Sequence, residues 1–510
     1  MFLGDSLMIK EDLMKKHVEY SKHLKDWTLY QTAYVGGTDF IDSSIKRHPR
    51  ETEENYLMRK EEAIVFNYAT SIINLLSFYL TEKDAMRDMG GLATDKQWQM
   101  FRRDCDLYNT DFNVFMNNAQ KVSSIYGSAG ILVDKAGSNL QNKAEEIAMG
   151  IYPYCSIYAL PNIYDWAVER HPLTNRPTLT YLKLYEDGNN FLIWKLESWE
   201  RWEIPTDEKG NQGDPQLIDS GENTLGEIPF FWFLNVRSPV DPFSGISDLT
   251  EIARITASII RDLSSLQEII KFAGFPMMRK PYKDERNYSE DLSGVRSILE
   301  FDPELPQSKP DWLESEVLEP IRGGLEFIGT KIDQIYETAH MAGVHALEKS
   351  SEARSGVALR YQFSQLSSIL TEKTRNMIES EYAILRLWLM WQNESSKFDK
   401  INIRRSKQFS IDDLAQDIHN LLKVQAASVS KTMYREIQKT LQRITLPEII
   451  DSTREEIDRE IEEADIMTVV DILQAAEDAK VISQNNDVTD VMVNDNIATS
   501  EPQKTEIEAG

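Results

Sequence analysis

The chain has 510 residues, with 56 Lys and Arg against 83 Asp and Glu, so its formal net charge is −27. This excess of acid argues against a broad electrostatic grip on DNA or RNA, because phosphate binds to basic surfaces. Hydrophobic residues make up 41% and aromatic residues 10%, which is typical of a folded globular protein. The length predicts about two to four domains.

The two cysteines are too few for a disulfide framework or a cysteine-based zinc site. They favour synthesis in a reducing cytosol. No basic segment followed by an apolar run occurs between Met1 and Asp12, so we expect no signal peptide. The most apolar windows, Ile64–Leu80 and Ala383–Trp391, are either interrupted by polar residues or shorter than the roughly 20 residues of a membrane span. Both windows predict buried helices.

The acidic charge is concentrated towards the C-terminus. Residues 451–510 hold 17 acids and 4 bases, which is nearly half of the net charge. Beyond about Lys480 the sequence also lacks aromatic residues and helical periodicity. Residues 481–510 are therefore predicted to form an acidic, flexible tail. The composition favours a tail that only confers solubility, and any further role stays open.

Two helices are predicted in the first quarter of the chain. Apolar residues at helical spacing predict one over Asn55–Glu82 and another from an N-cap at Thr94 to about Ser124. The second helix carries an unbroken stripe of Trp98, Phe101, Cys105, Tyr108, Phe112, Phe115, Ala119 and Val122. Such a stripe is typical of a core face, so Cys105 is interpreted as an inert buried thiol.

The pattern then changes to that of strands. Gly127 and Gly130 end the helical stretch, and turn signals such as Asp187–Asn190 separate the runs that follow. The predicted extended runs are rich in aromatic and branched residues: Ile131–Val133, Pro153–Val168, Thr178–Tyr185, Phe191–Ile204 and Ile228–Leu234. Helices followed by an antiparallel sheet predict an α+β fold class, mainly helical over the whole chain.

Long helices are predicted after Pro242. The first covers Ile246–Phe272, and the second follows Gly323-Gly324 with an apolar stripe over Leu325–Ala346. The segment between them, Ala273–Pro320, contains too many prolines for a long helix. The second stripe ends in alanines, which let helix backbones approach closely. This packing could join helices within one subunit or between subunits.

A third long helix is predicted from about Ser355 to Asn393. Ser410 and Asp413 resemble a helix cap, so the region beyond is expected to be mostly helical. A strand is predicted before this cap at Lys400–Phe409, and helices are predicted at Ser410–Gln425, Lys431–Arg443 and Arg454–Ala479.

Motifs for common chemistries are absent from the sequence. The glycine pairs lack the Gly-Lys-Ser/Thr ending of a phosphate-binding loop, and neither a His-Glu-x-x-His zinc helix nor a Gly-x-Ser-x-Gly elbow occurs. His340 and His345 are five residues apart, which on a helix points them to different faces and makes a poor metal pair. We therefore expect no enzyme activity, no metal and no cofactor.

Four short stretches of the chain are similar to one known family. They are Tyr56-Leu-Met-Arg59 through Asn67, Tyr126-Gly-Ser-Ala-Gly-Ile-Leu-Val-Asp134, Gly245-Ile-Ser-Asp-Leu249 and Ser355-Gly-Val-Ala-Leu-Arg-Tyr-Gln-Phe363. Together with the order of the predicted elements, they resemble the portal proteins of tailed bacteriophages. The resemblance covers roughly residues 50 to 450, and the acidic tail has no clear counterpart.

The resemblance implies a division of the chain into the parts of a portal subunit. A subunit of this kind has a wing, a stem of long helices, a small α/β clip, a tunnel loop and a helical crown. The implied ranges are 1–240 for the wing, 241–272 for the first stem helix, 273–320 for the clip, 321–346 for the second stem helix, 347–355 for the tunnel loop, 356–398 for the long wing helix, 399–480 for the crown and 481–510 for the tail.

The resemblance also implies a function and partners. The chain would form a homo-oligomeric ring, typically of twelve subunits, at one vertex of the capsid. Double-stranded DNA would pass through the ring, without sequence-specific binding, during packaging and ejection. The large terminase subunit would dock at the clip, and head-completion or tail adaptor proteins would replace it. Major capsid and scaffolding proteins are further partners. The subunit would be made in the host cytoplasm, reside in the virion and have no contact with a membrane.

Candidate DNA contacts follow from charge within these parts. An acidic wall repels the duplex towards the axis, while a few basic residues make transient contacts. The candidates for the DNA channel are Lys331 in the stem and five tunnel-loop residues, Lys349, Ser350, Ser351, Glu352 and Arg354. The candidates for contact with terminase or adaptor proteins are Arg279, Lys280, Tyr282 and Lys283 on the clip. The basic residues could instead be solvated or paired with Glu348, Glu352 or Asp333.

Two other classes of protein stay open. One is a helical scaffold or adaptor that binds protein through its long helices without forming a portal ring. The other is a cytosolic enzyme with an α+β catalytic domain and helical accessory regions. Assembly state separates the first alternative from a portal, and assays for ATPase, nuclease and hydrolase turnover separate the second.

Overall fold

The computed structural model describes residues 9–49, 51–137, 142–207, 209–240, 244–274, 278–279, 311–312, 318–341, 356–406, 430–445 and 451–464. The chain forms two compact units, residues 1–409 and 410–510. Helices and antiparallel sheets occur in the larger unit, so the predicted α+β class is confirmed. The portal-type domain boundaries stay predictions.

Eight helices are described before residue 150. They are Lys10–Met14 (α1), Val18–Val35 (α2), Gly37–Ser44 (α3), Glu53–Glu61 (α4), Tyr68–Thr81 (α5), Lys96–Arg103 (α6), Phe112–Tyr126 (α7) and Lys143–Met149 (α8). Helices α2, α3, α5 and α7 pack on one another and contribute side chains to a single core.

The predicted helix over Asn55–Glu82 is wrong as one element, because the chain is extended between α4 and α5. Here side chains alternate: Ala63 and Val65 pack against the core, whereas Ile64 and Phe66 are exposed. The Asn67 side chain then accepts a hydrogen bond from Thr70 N at 3.0 Å and so begins α5. A short apolar run fits the period of a helix as well as that of a strand, so the sequence alone does not show that the helix is interrupted here.

The predicted helix from Thr94 to Ser124 is also two helices, α6 and α7. Its intervening loop places Leu107 and Asn109 in the left-handed region, with φ of 64° and 65°. Asp111, at the end of the loop, accepts a hydrogen bond from Asn113 N and caps α7. Tyr108 of the predicted core stripe is 87% exposed, whereas Cys105 is fully buried as predicted.

Fourteen strands are described, most of them between residues 128 and 246. They are Met86–Asp88 (β1), Ser128–Asp134 (β2), Tyr154–Ala159 (β3), Ile163–Arg170 (β4), Pro177–Glu186 (β5), Asn190–Lys195 (β6), Ser198–Glu203 (β7), Gln216–Glu222 (β8), Phe230–Leu234 (β9), Val236–Arg237 (β10), Gly245–Ile246 (β11), Met278–Arg279 (β12), Asp311–Trp312 (β13) and Asn402–Arg404 (β14).

These strands form two main antiparallel sheets. One has three strands in the order β3-β2-β9, and the other is a five-stranded meander from β4 to β8. The predicted run Pro153–Val168 is divided between the two sheets, because a short 3₁₀ turn at Leu160–Asn162, which contains Pro161, separates β3 from β4. Strand β8 was missed because its exposed sequence includes Asp219 and Gly221, which disfavour strands.

Three long helices follow the sheets: Ile252–Gly274 (α9), Leu318–Thr338 (α10) and Gly356–Trp391 (α11). The first begins six residues later than predicted, because Gly245 and Ile246 form β11 against β10. Helix α10 begins earlier than predicted and runs through Gly323-Gly324. It ends at Thr338, and His340 then adopts a left-handed φ of 57°, so His340 is not on the predicted helix. His345 lies outside the described residues.

The third long helix matches its predicted range closely. Its C-terminal half is buried in the larger unit, where Trp388 packs against Trp98 and Phe101 with ring centroids 5.8 Å and 6.0 Å apart. The predicted strand over Lys400–Phe409 is shorter than expected and pairs as β14 with β1. This pairing holds the chain beside α11 as it leaves the larger unit.

The smaller unit contains two described helices, Lys431–Thr445 (α12) and Asp451–Glu463 (α13). Lys439 forms an ion pair with Glu462, and Arg435 Nε donates to the Ile461 carbonyl at 3.3 Å. Both helices were predicted. The helix predicted over Ser410–Gln425 and the acidic tail over 481–510 lie outside the described residues.

A buried glutamate joins α11 to β1 and to the segment just after β14. Glu381 is fully buried and accepts from Arg87 Nε at 2.8 Å and from Arg405 Nε at 2.8 Å. Burial alone would raise the pKa of Glu381, but Arg405 and Arg87 outweigh it and hold this pKa below its usual range. One carboxylate therefore binds two arginines that are distant in sequence and adjacent in the fold.

Replacing Glu381 with Gln should lower the free energy of unfolding by about 3–5 kcal/mol, because two arginines then lack their counter-charge. A carboxyl whose pKa is lowered by folding stabilises the protein above its unfolded pKa of about 4.3, and this stabilisation is lost as pH falls through the folded pKa. Denaturant unfolding at a series of pH values should therefore show a steeper acid loss in the parent chain than in E381Q.

Glu379→Gln is the matched control, since Glu379 lies on the same helix and pairs with Arg237, but both side chains are about 60% exposed. It should cost less than about 1 kcal/mol. Equal effects of the two substitutions would contradict this role of Glu381.

Candidate functional site

The base of α9 is fixed by a contact between two glycines. Gly127, with φ of 92°, ends α7, and Gly245 lies in β11. A Cβ atom added to Gly245 would be 1.9 Å from the Gly127 carbonyl oxygen, and one added to Gly127 would be 2.3 Å from the Gly245 oxygen. No other residue fits at either position. These glycines belong to two of the sequence stretches that carry the resemblance, and the structure brings those stretches together.

The turn before α9 is hydrogen-bonded to the last turn of α7. Asp248 N donates to the Ser124 carbonyl at 3.0 Å, and Ser247 Oγ donates to the Ile125 carbonyl at 2.5 Å. Asn235 N donates to the Gly127 carbonyl at 2.9 Å. Carbonyls at a helix C-terminus have no partner within the helix, so these bonds satisfy them. The direction of α9 is thereby set by the end of α7.

A buried lysine connects this turn to α11. The side chain of Lys373 is fully buried, and its Nζ donates to Asp248 Oδ1 at 2.9 Å and to Asp248 Oδ2 at 2.7 Å. It also donates to Asn235 Oδ1. Burial lowers the pKa of Lys373, while Asp248 opposes this effect. Asn376, one turn further along α11, donates to the Asn235 carbonyl at 2.8 Å.

We call Ser124, Gly127, Asn235, Gly245, Asp248 and Lys373 the joint. It unites α7, the end of β9, the turn before α9 and the middle of α11 in one buried polar network. Gln120 extends it by donating to Asn235 Oδ1 at 3.0 Å. A buried network of this kind specifies one geometry, because each member depends on the others for its hydrogen bonds.

Helix α10 packs antiparallel along α9. A Cβ atom added to Gly324 would be 2.8 Å from Leu266 Cδ2, so the backbone of α10 passes close to α9 here. One to two turns further on, Lys331 forms an ion pair with Asp262 and donates to Ser258 Oγ at 2.7 Å. Beyond the other end of the pair, Met278 and Arg279 of β12 pair antiparallel with Asp311 and Trp312 of β13.

Of the predicted DNA contacts, Lys331 is the one whose side chain is described. It is 14% exposed, and its ammonium lies 4.2 Å from the centre of the Phe327 ring. Its described partner, Asp262, was not among the carboxylates expected from the sequence. A role of Lys331 in contacting DNA stays a prediction.

The other predicted site residues are not brought together in the described part of the chain. The backbone of Arg279 forms β12 and pairs with Asp311. The remaining nine predicted positions lie outside the described residues: Lys280, Tyr282, Lys283, Lys349, Ser350, Ser351, Glu352 and Arg354, together with the alternative partner Glu348.

The joint itself was not predicted, although one signal for it exists. Leu366, Leu370, Lys373 and Met377 follow helical spacing, and all four side chains are buried. A charged residue on such an apolar stripe needs a buried counter-ion. The sequence does not show which of the many carboxylates supplies it.

Two negative observations apply to the described ranges. Within them, no group of three or more His, Cys, Asp or Glu side chains is arranged to hold a metal ion. No helix in the same ranges is long and apolar enough to cross a membrane.

Comparisons with known proteins give a weak structural likeness. No protein-family model matches the chain, and no curated protein matches it. Two similar solved chains come from structures titled "Virion of native gene transfer agent (GTA) particle" and "Neck of native GTA particle computed with C12 symmetry". Both are 11% identical with a TM-score of 0.42. The matches cover 79% and 80% of this chain and 96% and 98% of those chains. A TM-score of this size does not assign the fold.

Replacing Lys373 with Met should lower the free energy of unfolding by about 3–5 kcal/mol, because Asp248 then becomes a largely buried carboxylate without its cation. Adding Asp248→Asn to Lys373→Met should restore part of the loss. Denaturant unfolding measures both effects, and hydrogen exchange at the Asp248 amide reports whether the turn detaches from α7.

Lys397→Met is the matched control. Lys397 pairs with Glu394 within one helical turn, but its side chain is 38% exposed, so this substitution should cost less than about 1 kcal/mol. If K373M proves no more destabilising than K397M, with no faster exchange at Asp248, the Lys373–Asp248 pair does not hold the joint.

Proposed function

We propose that the chain is a portal protein of the tailed-bacteriophage type, one copy of a ring through which double-stranded DNA enters and leaves a capsid. The observation that supports this proposal is the order of the described elements. An α+β body is followed by α9, a segment whose two ends pair as β12 and β13, a returning helix α10, and α11 packed back on the body. The sequence resemblance implies this same order.

The dimensions of the helix pair suit a stem. Helix α9 has 23 residues and α10 has 21, which correspond to about 35 Å and 30 Å at 1.5 Å per residue. The joint fixes the base of this pair on the body, while the β12–β13 pair closes its far end. In the proposal the segment beyond β12 is the clip, which binds the terminase large subunit and later the adaptor proteins.

The charge distribution supports a conduit rather than a tight binder. A net charge of −27 per subunit, repeated around a ring, repels the duplex from the wall. Lys349 and Arg354 of the tunnel loop would supply transient phosphate contacts. Lys331 could contribute only by sharing or breaking its ion pair with Asp262. The proposed role involves no catalysis and no cofactor, and the ATPase activity would belong to the terminase.

Negative-stain microscopy of the purified chain tests the proposal directly. We expect rings with a central hole, and we expect their yield to rise with ionic strength or magnesium, because screening reduces repulsion between acidic subunits. Only monomers or dimers over a wide range of both conditions would contradict the proposal. Such a result would favour the scaffold or adaptor alternative.

Replacing Lys349 and Arg354 with Ala should reduce the length of packaged DNA or its retention in particles, because the transient phosphate contacts are lost. Gel measurement of the genome length extracted from particles checks this. The double variant Arg386→Ala and Lys397→Ala removes the same number of positive charges from exposed positions on or beside the C-terminal end of α11. If the variant with both Lys349 and Arg354 replaced packages and retains DNA like the parent chain, these two residues do not have the proposed role.

A further inference from the structure

The two cysteines of the chain lie side by side in the fold. Cys105 is in the loop between α6 and α7, and Cys155 is in β3. Cys155 N donates a hydrogen bond to the Cys105 carbonyl at 2.7 Å, and both residues are fully buried. Both thiols are free. The sequence separates them by 50 positions, so their contact is a product of the tertiary structure.

Their separation suits a covalent bond. Cys155 N lies 2.7 Å from the Cys105 carbonyl oxygen, and backbone geometry then keeps the two α-carbons within about 6.6 Å of each other. Disulfides span roughly 4.4–6.8 Å between α-carbons. The two thiols are also close enough to affect each other. Burial raises the pKa of Cys155 well above its usual value, and the neighbouring Cys105 adds to this effect.

The loop that carries Cys105 is compact but peripheral. Cys105 N donates to the Thr110 carbonyl at 3.0 Å, and its Sγ donates weakly to the same oxygen at 3.4 Å. Between these residues, Leu107 and Asn109 are left-handed, and the Tyr108 side chain is 87% exposed. The solvent-exposed surface of this loop therefore lies within a few residues of the buried Cys105.

We propose that Cys105 and Cys155 form a redox-modifiable pair, which a thiol oxidant converts into an intramolecular disulfide that ties the α6–α7 loop to β3. This inference goes beyond the proposed function and does not depend on it. Because the bond would close a long loop of the chain, it would restrict the unfolded state and stabilise the larger unit.

The oxidation balances with the azo reagent diamide. The Cys105 thiolate adds to one nitrogen of the N=N bond, and the other nitrogen takes up a proton. The Cys155 thiolate then attacks the Cys105 sulfur. The S–S bond forms as the S–N bond breaks, and the reagent leaves as a hydrazine that carries two electrons and two protons. Burial raises the pKa of both thiols, so the reaction should be slow and should proceed through loop opening.

The test treats the folded full-length chain with diamide, quenches with acid and alkylates the remaining thiols in denaturant. We expect a monomer that has lost two hydrogens, takes up no alkyl group and yields one cross-linked peptide containing Cys105 and Cys155. Its thermal midpoint should rise by a few degrees and return after treatment with dithiothreitol. Cys105→Ala and Cys155→Ala should each abolish both the cross-link and the rise.

Three results would overturn the proposal. They are full alkylation of both thiols after oxidation of the folded chain, recovery of mixed or intermolecular adducts alone, and a cross-link that lowers the thermal midpoint. Oxidation of the chain in urea serves as the positive control for the reagent, because the unfolded thiols are accessible there. Ring images of the reduced chain test the proposed function separately.

Discussion

The ion pair between Lys373 and Asp248 is the interaction on which the arrangement of the long helices depends. Lys373 belongs to α11, and Asp248 belongs to the turn that begins α9, so the pair joins elements 125 residues apart. Both charges are shielded from water and share Asn235 as a common partner. Taking either charge out of water is costly, and the hydrogen bonds of the joint offset that cost only when all of them are in place. The network therefore selects one geometry.

Glu381 performs a related task two turns along the same helix. It binds Arg87 from β1 and Arg405 from the segment after β14, just as Lys373 binds the turn before α9. Helix α11 is thus held to the body by two buried charges of opposite sign. Most of its other buried side chains are apolar, such as Leu370, Ile384 and Trp388. These side chains stabilise the packing of the helix through the hydrophobic effect, but they do not specify its position along its own axis.

The sequence predicted the long elements well and the breaks between them poorly. Helix α11 and the antiparallel sheets follow from sustained periodicity, which a single residue does not disturb. The interruptions at Ala63–Phe66 and at Leu107–Asn109 were missed, because their apolar residues also fit a helical stripe. The joint was missed for a different reason. Its members are distant in sequence, and only the tertiary fold shows that Asp248, among 83 acidic residues, is the partner of Lys373.

The contact between Gly127 and Gly245 limits how far the distant end of α9 can move. Helix α9 extends about 35 Å from this point, so a rotation of about 5° at its base would move its far end by about 3 Å. That displacement is close to the length of one hydrogen bond. A backbone contact without side chains leaves little room for such a rotation, because neither partner has a rotamer to change. The close contact between the two glycine backbones thus restricts the orientation of α9, and this restriction determines how accurately the far end of the helix is positioned.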